Sequence, residues 1–108
     1  MVHSQTQENA WSQLALAVGE EFGSDWTVRS IGKYQLEISN SGKTKRQLIL
    51  NFAGTDLFVA YYDNGGRAPS SSPPVRVEDD GSFRDLGTKS IVTTRQIIAS
   101  LWTHLGKL

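Results

Sequence analysis

Between Tyr34 and Tyr62 the chain alternates apolar and polar residues, and two successive turns set that alternation in one phase. Tyr34, Leu36 and Ile38 are interleaved with Gln35, Glu37 and Ser39, the pattern of a strand with one buried and one wet face. Asn40-Ser41-Gly42 reads as a three-residue hairpin loop with glycine at its left-handed position. The next strand carries Leu48, Leu50 and Phe52 on one side, and Ala53-Gly54-Thr55-Asp56 turns the chain into Leu57 to Tyr62. Pairing across that turn sets Leu57, Val59 and Tyr61 beside Phe52, Leu50 and Leu48. It also sets Phe58, Ala60 and Tyr62 beside Asn51, Ile49 and Gln47. A slip of one residue would send every apolar side chain to the wrong face, so the agreement of both hairpins constrains the fold strongly.

The flanks are helical. Trp11, Leu14, Ala15, Val18 and Phe22 recur at three- and four-residue steps, with Ser4 or Thr6 as N-cap and Gly23 as the stop. Gly19 weakens this helix by about 1 kcal/mol relative to alanine, a cost attributed to close packing on the sheet. Near the other end, Thr93 and Gln96 form a capping box, Val92 and Ile97 a hydrophobic staple, and Ile98, Leu101, Trp102 and Leu105 the apolar stripe. Gly106 and Leu108 suit a Schellman ending. Trp26 to Ile31 reads as a first strand and Val75 to Val77 as a short one. Asp79-Asp80-Gly81 is a turn from which Ser82 to Arg84 pairs back. Residues 63–74, rich in Gly, Ser and Pro, read as a mobile surface loop used for binding. The expectation is one α+β domain, residues 1–108, whose antiparallel sheet of four to six strands is flanked by an N-terminal and a C-terminal helix. Trp11, Val18, Leu36, Leu50, Val59, Leu101 and Trp102 are expected to share one core.

Composition narrows the chemistry. Eleven Lys+Arg balance eleven Asp+Glu, without the basic excess usual for gripping duplex DNA. RNA and single strands stay open. There is no cysteine, which removes disulfides, thiol nucleophiles and Cys-ligated zinc. Met1 to Gln7 lacks an apolar signal core and no apolar run reaches about 20 residues, so a cytoplasmic protein without a membrane span is expected. His3 and His104 have no carboxylate or nucleophile at a telling spacing. Glu20, Glu21 and Asp25, like Glu78, Asp79 and Asp80, lack the alternation of a calcium loop. Asp63-Asn64-Gly65-Gly66-Arg67 lacks the Gly-Lys-Ser/Thr ending of a phosphate loop. No catalytic constellation, metal set or cofactor fingerprint emerges, and the expectation is a protein that is not an enzyme.

Two surface features remain. Ile49, Phe58, Ala60 and Tyr62 fall on the face opposite the core, either as an interaction patch or under a helix or the Pro-rich loop. Lys43, Lys45 and Arg46 cluster at a hairpin tip, either to touch phosphates or an acidic partner or to protect a strand end. With Arg67 of the loop, these are the candidate partner-binding residues. They imply a small binding module that acts through protein contacts, as an inhibitor, immunity factor, adaptor or subunit. Its partner would be another protein or a second copy in a homodimer. The alternative is an RNA or single-strand binder, with Phe58 and Tyr62 stacking bases and Lys43, Lys45 and Arg46 holding phosphates.

The order helix, antiparallel strands, helix resembles the frataxin-like fold over nearly the whole chain, in order and length and without a shared motif. Frataxins carry acidic residues along the first helix and its neighbouring strand, and the residues available here are Glu8, Glu20, Glu21 and Asp25. What the resemblance implies is an acidic metal-binding or scaffold protein, the second alternative.

Overall fold

The computed structural model describes residues 4–23, 26–40, 46–63, 66–67 and 74–106. Helix α1, Gln5–Phe22, opens on Ser4, whose hydroxyl accepts from the Gln7 N–H while the Gln7 side chain accepts from the Ser4 N–H. This reciprocal box satisfies two end donors of the helix and leaves Thr6 within the helix. Gly23 closes α1 in a right-handed conformation, where a Cβ would stand 2.4 Å from the Gly19 carbonyl oxygen.

Four strands follow as a meander: β1 (Thr27–Gly32), β2 (Gln35–Asn40), β3 (Arg46–Ala53) and β4 (Asp56–Asp63). β3 and β4 pair Leu48 with Tyr61, Leu50 with Val59 and Phe52 with Leu57, the register read from the sequence. Their turn is the two residues Gly54 and Thr55, with Gly54 at φ 63°, a conformation that glycine adopts without a Cβ clash. Four short strands complete the sheet: β5 (Gly66–Arg67), β6 (Val75–Val77), β7 (Phe83–Asp85) and β8 (Ile91–Val92). The order is β1-β2-β3-β4-β6-β7-β8, with β5 on β4. Among the described residues eight strands stand where four to six were expected, because two-residue strands carry no readable alternation. Helix α2, Thr94–Gly106, starts with the expected box, Thr93 N–H to Gln96 and Gln96 N–H to Thr93.

Both helices lie on one face of the sheet. Trp11, Leu14, Val18 and Phe22 of α1 and Ile97, Leu101 and Leu105 of α2 share one core with Leu36, Ile38, Leu48, Leu50, Phe52, Leu57 and Tyr61. Val59 and Trp102 pack against it, so the seven expected core residues do belong together. Trp102 stacks on Phe22 at 4.2 Å between centroids, Trp11 donates its indole N–H to the Lys33 carbonyl, and the buried Gln7 amide donates to the Val77 carbonyl.

Four local expectations are corrected. Gly19 makes no close contact with the sheet, since a Cβ there would meet nothing within 4 Å. Tyr34 lies in the turn before β2, not in the strand, and its ring stands edge-on to Phe52. Trp26 precedes β1 in a bend, drawn back by its N–H to the Phe22 carbonyl. Asn40, expected to open a three-residue loop with Ser41 and Gly42, is instead the last residue of β2 and pairs with Arg46, so the connection is residues 41–45. Those residues, the Leu108 ending and most of residues 63–74 lie outside the described residues.

Candidate functional site

With both helices on one side, the opposite face of the sheet carries no helix among the described residues. Along β4 the side chains of Asp56, Phe58, Ala60 and Tyr62 point to that face by alternation, and on β3 those of Gln47, Ile49 and Asn51. Ile49 pairs with Ala60 and so stands diagonal to both Phe58 and Tyr62. Phe58 is 44% exposed, and Ile49, Ala60 and Tyr62 are half-buried. Ile91 of β8 joins the same face beside Arg84, 52% exposed.

The charges around this stripe cancel in pairs. Glu37 accepts from Arg29 at 2.9 Å and from Gln47 at 2.7 Å, and Gln35 donates to Asn51 at 2.7 Å. On the far side Arg76 meets Asp56 at 3.2 Å, and Arg84 meets Glu78 at 3.0 Å. Such exposed pairs add little stability, about 0–1 kcal/mol each. Their effect on the surface is to leave a neutral polar border around an apolar centre.

The predicted site residues separate. Ile49, Phe58 and Tyr62 form one patch. Arg46 does not join it, because it shares the parity of Leu48 and Leu50 and therefore faces the helices. It is half-buried, and its guanidinium donates to the Leu105 carbonyl at the end of α2. Arg67 enters by its backbone, opposite Tyr62. Lys43 and Lys45 lie outside the described residues. The bordering ion pairs and Ile91 were missed. Arg29 and Glu37 become a pair only when the two-residue turn at Lys33-Tyr34 is combined with the register shift between Ser30 and Gly32, which sequence alternation does not show.

Elsewhere the polar side chains hold structure. His104 sits on the Ser100 carbonyl at 2.8 Å with its ring stacked on Tyr61, and no carboxylate bonds it among the described residues. Tyr34 donates its hydroxyl to the Glu8 carboxylate, which raises the phenol above its ordinary 10.0. Asp80 accepts from the Ser82 hydroxyl and N–H, which hold its carboxyl below the ordinary 3.8. Glu20 and Glu21 flank a groove between α1 and α2 floored by Ala17, Ile98 and Trp102, with Arg95 opposite, while Asp25 lies outside the described residues. Among the described residues no three His, Asp or Glu side chains are grouped to hold a metal, and no helix is long and apolar enough to cross a membrane. A cavity of about 60 Å³ lies under α2, lined by Leu50, Leu57, Val59, Val75 and Ile97 with Gln96 and Ser100. That is far below the roughly 300 Å³ of a small-molecule site. No protein-family model matches the chain, nor does any curated protein or solved structure.

Proposed function

We propose that this chain is a non-enzymatic module that binds another protein through the open face of its sheet, with Phe58 at the centre and Ile49 and Tyr62 beside it. One observation carries the reading: both helices pack on the same face, leaving Phe58 44% exposed in the middle of the other. Burying a large apolar side chain contributes roughly 1.5–3 kcal/mol, and a central aromatic within a polar rim is the usual anatomy of a binding hot spot. The paired border favours protein over nucleic acid, since Arg29, Arg76 and Arg84 each already hold a carboxylate and offer phosphates no uncompensated charge. A cytoplasmic adaptor, inhibitor or subunit is the setting this reading implies.

The test is affinity capture from native extract by the whole chain, by Phe58→Ser and by Lys43→Ala/Lys45→Ala. The expected result is a partner that survives high salt, is lost with Phe58→Ser and is kept by the lysine double variant, while Phe58→Ser melts near the parent. Unfolding of Phe58→Ser would place Phe58 in the core and defeat the reading. Capture of RNA that fades steeply with salt and needs the lysines would replace it with the nucleic-acid alternative.

A further inference from the structure

The two edges of the sheet are unequal. β8 at one edge is two residues long and runs straight into the cap of α2. β1 at the other is six residues long, and among the described residues it pairs only with β2. Of Thr27 to Gly32, only Val28 and Gly32 are even half-buried, and Ile31 is 39% exposed. A free edge presents unpaired N–H and C=O groups, which proteins usually guard with proline, lysine or inward charge. β1 has no proline or lysine, and its one charge, Arg29, is tied to Glu37 of its own sheet. Its guard is a bulge between Ser30 and Gly32, where the Ser30 hydroxyl donates to the Gly32 carbonyl, leaving Thr27 to Ser30 open.

The helix above this edge adds a second observation. Ala17 and Glu21 of α1 line the groove toward α2, whereas Glu8 reaches Tyr34 in the turn between β1 and β2. The flank toward β1 therefore continues from Glu8 to Gly19, eleven residues and about three turns on. Gly19 has open space where a Cβ would stand, so no contact among the described residues accounts for a glycine there. One turn before it, Leu16 is 66% exposed, more than any other large apolar side chain described.

We propose that this edge closes on a second copy of the chain: β1 pairs antiparallel with β1 of the partner, and Leu16 of each α1 approaches the partner's α1 near its Gly19. A second copy is the occupant because the edges are unequal. Head-to-tail addition would need β1 to extend the two-residue β8, so the pairing left is two-fold and ends at a dimer. Charge permits it, since the net charge is zero and Arg29 is already neutralised. The four open residues Thr27 to Ser30 span about 13 Å, and a sheet with one helix layer is about 20 Å deep, so each copy covers about 260 Å². The total of about 520 Å² lies well below the standard interface, so the dimer is weak and forms reversibly with concentration.

Sedimentation equilibrium on the whole chain, from micromolar to about 1 mM, is the test. The expected result is a monomer–dimer equilibrium that Ser30→Lys and Leu16→Glu each weaken at least about tenfold, a shift of about 1.4 kcal/mol. Their melting curves at low concentration should match the parent. Amide exchange in Thr27 to Ser30 of the unaltered chain should slow as concentration rises, a readout that requires no variant. A chain monomeric at about 1 mM, or a dimer indifferent to both substitutions, overturns the proposal. So does a dimer lost with Phe58→Ser and kept by Ser30→Lys, which would place self-association on the open face instead.

Discussion

Leu50 and Ile49 are neighbours on β3 that face opposite ways, so truncating each in turn tests the phase of the whole sheet. Leu50 is fully buried and borders the cavity of about 60 Å³ under α2. Leucine-to-alanine changes in a core cost about 2.7–5.0 kcal/mol, rising with the volume left empty. The existing void counts in parent and variant alike, so only the space vacated by Leu50 enters the difference. Because Leu50 already lacks contacts on the void side, the loss belongs in the lower half of the range, about 3 kcal/mol. At about 4 °C or more per kcal/mol, Leu50→Ala should melt at least about 12 °C below the parent. Ile49→Ala removes a half-buried side chain from the open face and should cost about 1 kcal/mol. Urea denaturation measures both, with unchanged slopes showing that the unfolded state is not the cause. A loss below about 0.5 kcal/mol for Leu50→Ala, or a larger one for Ile49→Ala, would mean that the register is wrong by one residue.

Gly19→Ala should stabilise the monomer by about 0.5–1 kcal/mol in urea melts at low concentration, since the site is helical and has room for a methyl group. Asp80, held below its ordinary 3.8 by Ser82, should stabilise fully above that value and lose its effect as pH falls through its lowered folded value. The stability gap between the parent and Asp80→Ala should therefore close in acid, and a constant gap would refute the assignment. Tyr34 has the opposite sign. Its bond to Glu8 holds below the ordinary 10.0 and is lost as pH climbs through the raised value, so ultraviolet titration of the parent should show a late phenol component that is lost in Tyr34→Phe.

The register of β3 on β4 was legible because turn residues and alternation are local signals that agree, whereas between β2 and β3 alternation gave the right face but the loop was read too short, since Asn40 pairs with Arg46. Gly54 fixes the reversal, and Leu48, Leu50 and Phe52 then have no choice of face. The start of α2 was legible because the box of Thr93 with Gln96 needs only four residues of sequence, while at α1 Ser4 and Thr6 both stood as caps and the bonds with Gln7 choose Ser4. The side of the sheet each helix covers depends on contacts between distant residues, such as Gln7 to Val77 and Trp11 to Lys33, which leave no periodic trace. The open face was for that reason only half readable: its residues were named, but not whether a helix lay over them. Arg46 was misplaced on a different ground. Its parity with Leu48 already marked it as inward, but its charge suggested solvent. A long side chain at a sheet end satisfies both, keeping its stem inside while its head reaches the Leu105 carbonyl.

The buried bond from Gln7 to Val77 spans 70 positions of the chain. During synthesis α1 emerges before the strands it packs against, yet its first turns have no seat until β6 has been made. At about 5–20 residues per second, the ribosome takes roughly 4–14 s to supply it. Through that interval Leu14, later fully buried, and Trp11, later a core residue, have only the incomplete meander to cover them. Until β6 is made, the ribosome-bound chain therefore adds the apolar stripe of α1 to the surfaces it exposes to chaperones and to aggregation.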